Sequence, residues 1–443
     1  MHIVYLHQYF TPPDGAGSTR SYEMARRLVG AGHKITLVTS NAFFPSDYKF
    51  DQFVTDLKID GIELKVIRVA YSNRQSYFRR IFAFFQFAFL SAIITMRIRN
   101  VDLVFATSTP LTIMIPGIAA KWCHAAPMVF EVRDQWPKVP ITLGILKNPL
   151  AIAAARWMER AAYRNAAHIV ALSPCTRDGI IALGVNQNDI TVIPNCADTD
   201  LFRVDNDVGE KFINEHPHLQ NKKIVAYVGT LGLANGVDYI VQLAARMKSR
   251  DPNIYFVIVG DGAKRDQIAK LAGELDVFGK NFWMLPPVPK NQVPRLLSAA
   301  TAVCSTFIID AAPWPNSANK FFDGMAAGKP VIINYLGWQK GVLDQSGAGI
   351  ALPPDDLDRA VEDLKLFLND DTAVAKCSAA SSLLADTRYN RALLAGKLQY
   401  VLEKAAAKSH QYDLTEIPYE QRIFQTSMRQ ANIKRTSPSQ QKQ

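Results

Sequence analysis

Residues 316–334, NSANKFFDGMAAGKPVIIN, gather the side chains best suited to holding an anion. Ser317 reads as the cap of a helix that stops at Gly328, ahead of Lys-Pro and an apolar strand. Asn319 and Asp323 are four apart and so share a helix face. Lys320 falls in the first turn, where the helix dipole disfavours a cation by ~0.3–1 kcal/mol. A bound anion meeting both the lysine and the helix terminus would resolve that conflict. A lysine turned to solvent is the plainer alternative.

Glycine-rich turns supply the other phosphate-like signals. YVGTLGLANG sets Gly229, Gly232 and Gly236 between an apolar run and a helix from Val237. VIVGDGAKRDQI does the same with Gly260 and Gly262, ahead of Lys264 and Arg265. Near the start, QYFTPPDGAG places Gly15 and Gly17 before Arg20, where backbone could approach a phosphate and the arginine could hold it. That loop is ten residues long and lacks a third glycine at the helix start, which disfavours a dinucleotide fingerprint. Glycines at strand ends are also ordinary turn residues. EVRDQWP ends an apolar run and points Glu131, Arg133 and Asp134 toward the ligand edge. A carboxylate beside an arginine stays ionised and accepts a proton weakly; a structural ion pair is the alternative.

The elements that position these residues are legible as alternating apolar runs and helical patterns. Runs at 2–7, 34–39, 62–69, 102–106, 128–132, 168–172 and 190–193 form a first series. A second lies at 224–228, 255–259, 282–285, 302–306, 331–334 and 350–352. Continuous apolar runs separated by helices predict parallel sheets covered on both faces, hence α/β architecture in two doubly wound Rossmann-like lobes facing a cleft. Residues 196–223, polar and mostly aperiodic, read as the hinge, and 388–404 as a closing helix.

Composition narrows the rest. The 443 residues carry 50 Lys and Arg against 40 Asp and Glu, a net +10 that favours anionic partners. Five scattered cysteines without C-x-x-C exclude a disulfide scaffold and a zinc ribbon. The three Asp-x-Asp triplets (Asp198/Asp200, Asp205/Asp207, Asp356/Asp358) do not directly follow a strand, and the histidines lack ligand spacing, so no metal is inferred. The start, MHIVYLHQYF, predicts no cleavable signal.

Residues 81–96 are apolar except for Gln86, Ser91 and Thr95, with Arg79 and Arg80 before them and Arg97 and Arg99 after. Sixteen residues span ~24 Å, short of the ~30 Å hydrocarbon core. Five phenylalanines between basic flanks predict an in-plane membrane contact; a helix covering the sheet is the alternative.

In order, PPDGAGSTR, RRLVGAGHKITLVTS, RDQWP, VIPNCADTDLF, YVGTLG, VGDG and SANKFFDGMAAGKPVI resemble the family-4 glycosyltransferases of the two-lobed GT-B fold. The chain is similar to the bacterial branch that moves N-acetylated deoxyhexoses such as N-acetylfucosamine in O-antigen or capsule assembly. The resemblance implies a UDP-sugar donor, a polyprenyl-diphosphate-linked saccharide acceptor, retention of anomeric configuration, and neither metal nor cofactor. It implies an acceptor lobe at 1–196 with a membrane-facing segment at 79–99, and a nucleotide-sugar lobe at 197–386. A helix at 387–408 would return to the first lobe, followed by a polar basic tail at 409–443. The expected site is Asp134 as catalytic residue, with Gly15, Gly17, Arg20, Gly229, Gly262, Lys264, Arg265, Asn319, Lys320 and Asp323 binding substrate. Asp323 matches the family's second carboxylate, on the donor ribose, whereas Pro315 stands where the first would be. Leu231 and Asn235 stand near the usual diphosphate cations, so Lys320, Lys264 and Arg265 are the substitutes. The expected place of work is the cytoplasmic membrane face, with no nucleic acid partner. A UDP-sugar 2-epimerase of the same architecture, or a non-catalytic nucleotide-sugar or lipid binder, are the competing readings.

Overall fold

The computed structural model describes residues 1–15, 17–71, 75–309 and 317–409. The first lobe carries β1 (His2–Leu6), β2 (Lys34–Ser40), β3 (Val54–Ile59), β4 (Ile62–Ile67), β5 (Leu103–Thr107), β6 (Met128–Val132), β7 (His168–Ala171) and β8 (Ile190–Val192). They form one sheet in the order β3-β4-β2-β1-β5-β6-β7-β8. The second carries β9 (Lys223–Val228), β10 (Ile254–Val259), β11 (Phe282–Leu285), β12 (Ala302–Ser305), β13 (Val331–Ile333) and β14 (Gly349–Ala351), ordered β11-β10-β9-β12-β13-β14. Strands β1, β5 and β6 are buried at every position, as strands covered on both faces must be. Strand order reverses at β1–β5 in one sheet and at β9–β12 in the other, which puts the ligand crevice at those carboxyl ends.

One strand escapes the apolar-run reading. β3 pairs antiparallel with β4 on the sheet edge, and its half-exposed VTDLKI alternates instead of running apolar. Its turn is Asp60-Gly61, both at positive φ (46° and 82°), the two-residue hairpin chemistry that Asp-Gly favours.

The segment read as a hinge is ordered. It forms helices at Thr199–Phe202 and Asn206–Glu215, and Phe202, Phe212 and Leu219 sit in the second lobe's core. The aperiodicity reflects two short helices joined by turns. The chain crosses between lobes at 193–198 and again at 389–391, and the passes are tied together. Ala197 N–H donates to the Tyr389 carbonyl at 2.8 Å, Arg391 N–H to the Ala197 carbonyl at 3.0 Å, and Arg391 pairs with Asp198 at 3.0 Å. The closing helix, Arg391–Ser409, then lies on the first lobe, with Leu394, Leu398, Val401 and Leu402 packed among Ile3, Tyr5, Leu28 and Phe105.

The phenylalanine segment is a helix, Tyr77–Met96, of 20 residues, or ~30 Å. It is therefore long and apolar enough to cross a membrane, and the length argument against crossing fails. Packing replaces it: Ala83, Phe84, Phe87 and Ala88 are buried in the protein, so one face is not available to lipid.

Candidate active site

At the carboxyl edge of the first sheet two arginines meet opposite fates. Arg20, in the first turn of the Arg20–Gly30 helix, is buried. Its Nη2 reaches Glu131 Oε1 at 2.8 Å, its Nη1 donates to the Pro194 carbonyl at 2.7 Å, and Nη2 also donates to the Ile193 carbonyl at 3.0 Å. Thr107 Oγ1 occupies the other Glu131 oxygen at 3.2 Å. The expected phosphate role of Arg20 is thus corrected: its charge is cancelled inside the wall. Arg133 follows β6 and is half-buried, with Nη1 3.1 Å from His7 Nε2 and Nη2 donating to Ser18 Oγ at 3.3 Å. Asp134 is exposed and accepts from Thr109 Oγ1 at 2.8 Å. Gly15 is packed so that a Cβ would lie 2.7 Å from Thr11 Cγ2, whereas Gly17 is exposed.

In the second lobe the two glycine turns pack backbone to backbone. Gly229 N–H donates to the Val259 carbonyl at 3.0 Å, and Leu231 N–H to the Asp261 carbonyl at 2.9 Å. A Cβ on Gly262 would lie 2.4 Å from the Leu231 carbonyl oxygen. Gly236, at φ +58°, sits 2.4 Å from Phe307 backbone by the same measure, so only glycine fits there. Leu231 is core and Asn235 Oδ1 accepts from Gly232 N–H at 3.1 Å, so neither brings charge to the loop.

Lys320 opens the Asn319–Ala326 helix as its second residue. Ser317 is not the cap: its hydroxyl accepts from Asn195 N–H at 2.8 Å, a contact between lobes, and Ala318 holds the cap position without a side-chain bond. The Lys320 stem runs under the first glycine turn, with Cε 3.6 Å from where a Gly229 Cβ would be. Its ammonium lies 4.9 Å from the Tyr227 ring centre and 5.2 Å from that of Phe307. Burial pushes it down to about 8, although Cys304 and Asp323 oppose that shift. Asp323, one turn on and buried, is claimed by Lys290. The nearest carboxylate is therefore already paired with Lys290, and among the described residues Lys320 forms no ion pair.

The remaining expected cations are consumed. Lys264 pairs with Asp238 at 2.9 Å, and Arg265 turns back onto the Gly260 and Leu285 carbonyls. In this ligand-free structure a local acceptor thus holds each of the two expected diphosphate cations at the turn. Asn319 is half-buried at the helix start. Pro315 lies outside the described residues. Sequence reasoning missed Lys290, 33 residues from Asp323, and the buried His7; no spacing links either to its partner. Among the described residues no three His, Cys, Asp or Glu side chains converge as a metal site. A cavity of about 1000 Å³ lies at the opposite edge of the first sheet, lined by His2, Lys34, Glu63 and Arg99 and by none of the candidate site residues.

Two family models match this chain: a glycosyl transferase 4-like domain over residues 15–196, and glycosyl transferases group 1 over residues 209–382. An alpha-D-kanosaminyltransferase of Streptomyces kanamyceticus is 22% identical over 220 residues, 48% of this chain and 55% of that protein. The chain thus spans about half the length of that relative. The putative colanic acid biosynthesis glycosyl transferase WcaI of Escherichia coli is 24% identical over 310 residues, 67% of this chain and 74% of its own. The fold matches that of Anabaena Alr3699/HepE, solved in complex with UDP and glucose, at TM-score 0.69 and 16% identity, covering 90% of this chain and 99% of that one. The group 1 match favours sugar transfer over the epimerase and non-catalytic readings.

Proposed function

We propose, from the premise that this chain belongs to the glycosyl transferases group 1 with a glycosyl transferase 4-like first lobe, that it moves a sugar from a UDP-sugar to a lipid-diphosphate-linked saccharide. The observation that carries this is Lys320: a buried cation at a helix start beneath a glycine turn, whose neighbouring carboxylate is held by Lys290. Sugar transfer needs the departing nucleoside diphosphate neutralised, and fixed cations with backbone N–H groups supply that charge without reorganising. The donor lies on the second lobe with its diphosphate on Lys320 and its ribose near Asp323. Configuration is retained, the leaving phosphate taking the acceptor proton on the same face. No metal or cofactor is needed.

The transferred sugar is an N-acetylated deoxyhexose such as N-acetylfucosamine, destined for O-antigen or capsule. A relative named for kanosamine transfer supports an amino sugar as the moved group, and one named for colanic acid biosynthesis supports polysaccharide assembly as its destination. The acceptor is polyprenyl-linked, and the protein works peripherally at the cytoplasmic membrane face. That placement is supported by the Tyr77–Met96 helix, where Phe78, Phe82, Phe85 and Phe89 are exposed by 83%, 70%, 48% and 65% at spacings of four, three and four.

The test is a screen of UDP-sugars with a polyprenyl-diphosphate-linked saccharide, read by mass spectrometry with and without EDTA. Transfer of one sugar, unaffected by EDTA, is expected; a reaction lost on chelation and restored by Mg²⁺ overturns the metal-free mechanism. Asp323→Ala should chiefly raise the donor dissociation constant, since a ribose contact exists in ground and transition states alike. If turnover collapses while UDP binding is untouched, the ribose assignment fails.

A further inference from the structure

We propose that the Arg133 guanidinium is a diphosphate-binding group of the first lobe, aimed into the crevice by the His7 imidazole and the Ser18 hydroxyl. The proposal rests on the transfer reading above and assigns a residue to it. Arg133 stands directly after β6, two strands from the β1 terminus that carries His7. Its Nη1 donates to His7 Nε2 at 3.1 Å and its Nη2 to Ser18 Oγ at 3.3 Å, while its own backbone N–H donates to Ser108 Oγ at 3.1 Å. Because Nε2 accepts, the His7 proton is assigned to Nδ1, which donates to Ser21 Oγ at 2.7 Å. The imidazole is buried, and burial together with Arg133 holds it neutral.

Both supports are therefore uncharged. The carboxylates closest in sequence are engaged elsewhere, Glu131 by Arg20 and Thr107, and Asp134 by Thr109. A carboxylate support would have oriented the guanidinium and cancelled its charge; neutral acceptors orient it and leave the charge in place. Among the described residues two of the five guanidinium donors are used, which leaves three for an oxyanion pair. Arg20, at the end of the same sheet, shows the contrasting case of an arginine fully neutralised inside the wall.

The shared chemistry is a diphosphate, and its source is either the nucleotide donor or the lipid-linked acceptor. Calorimetry on the full chain, comparing wild type with R133Q and R133K, separates them using UDP, UMP and farnesyl diphosphate as probes. R133Q should weaken one diphosphate by at least about tenfold and leave UMP nearly unchanged; R133K should recover part, keeping charge without the planar fork. Loss confined to UDP assigns the donor, and loss confined to farnesyl diphosphate assigns the acceptor. His7→Leu, which removes a support but no charge, should move the same affinity less, and it carries the test with R133K if R133Q does not fold. Affinities for both diphosphates within twofold of wild type, or an equal loss for UMP and UDP, overturn the proposal. A wild type that binds no UDP overturns the transfer reading instead.

Discussion

Burial strips the Lys320 ammonium of hydration, and rings on two sides return part of that loss through their quadrupoles. With its folded value lowered from 10.5 to about 8, the unfolded chain holds a proton between those limits that the folded chain has released. Stability therefore rises with pH through that window, and at pH 7 the charged lysine is a net cost to the donor-free fold. A diphosphate reverses the sign, because it favours the charged form. UDP affinity should accordingly fall as pH rises above about 8, and Lys320→Met should raise the melting temperature without nucleotide. The same variant should bind UDP more weakly by ~1.5–3 kcal/mol. Calorimetry at pH 7 and 9.5 with melting curves checks both; a flat UDP affinity across that range removes Lys320 from the site. At this scale the sequence told residue types and little else. Lys264, Arg265, Arg20 and Lys320 look equally free on the page, yet three of them are held by protein acceptors.

The Tyr77–Met96 helix has two faces of similar apolarity and different fates. Phe84 and Phe87 join the aromatic and aliphatic packing of the first lobe, whereas Phe82 and Phe89 stand in solvent. Leu150 and Trp157, exposed by 80% and 66% on the Pro149–Asn165 helix beside Arg156 and Arg160, extend the apolar and basic character of this lobe. Each arginine near an anionic surface contributes on the order of 1 kcal/mol, decaying over a Debye length of ~8 Å. Changing Arg79, Arg80, Arg97 and Arg99 to Gln should therefore abolish salt-sensitive sedimentation with anionic liposomes. Turnover of a short-chain water-soluble acceptor should persist. If wild type ignores liposomes of every composition, the helix is a core element and the membrane proposal fails. Composition announced an apolar run with basic flanks; only packing on the sheet decided which phenylalanines stay outside.

Across the whole molecule, the closing helix couples the lobes. It leaves the second lobe through the Ala197–Tyr389 tie and covers the first with four large aliphatic side chains. At ~1.5–3 kcal/mol for each buried side chain, that contact rivals the ~5–15 kcal/mol stability of a typical domain. Ending the chain at residue 390 should uncover Ile3, Tyr5 and Phe105 and leave a protein that is insoluble or melts without cooperativity. A truncated chain with the full-length melting temperature would show that the helix is dispensable. The sequence by itself determined the two sheets, because runs such as 2–7 and 224–228 are too apolar to lie anywhere but between covered faces. It also held the Asp60-Gly61 hairpin signal for β3, a strand whose alternating pattern contains no apolar run. Only the tertiary structure decided which charges are spent and which are left. Arg20 finds Glu131 across 111 residues and Lys290 finds Asp323 across 33. Strand order sets those meetings, and local periodicity carries no information about strand order.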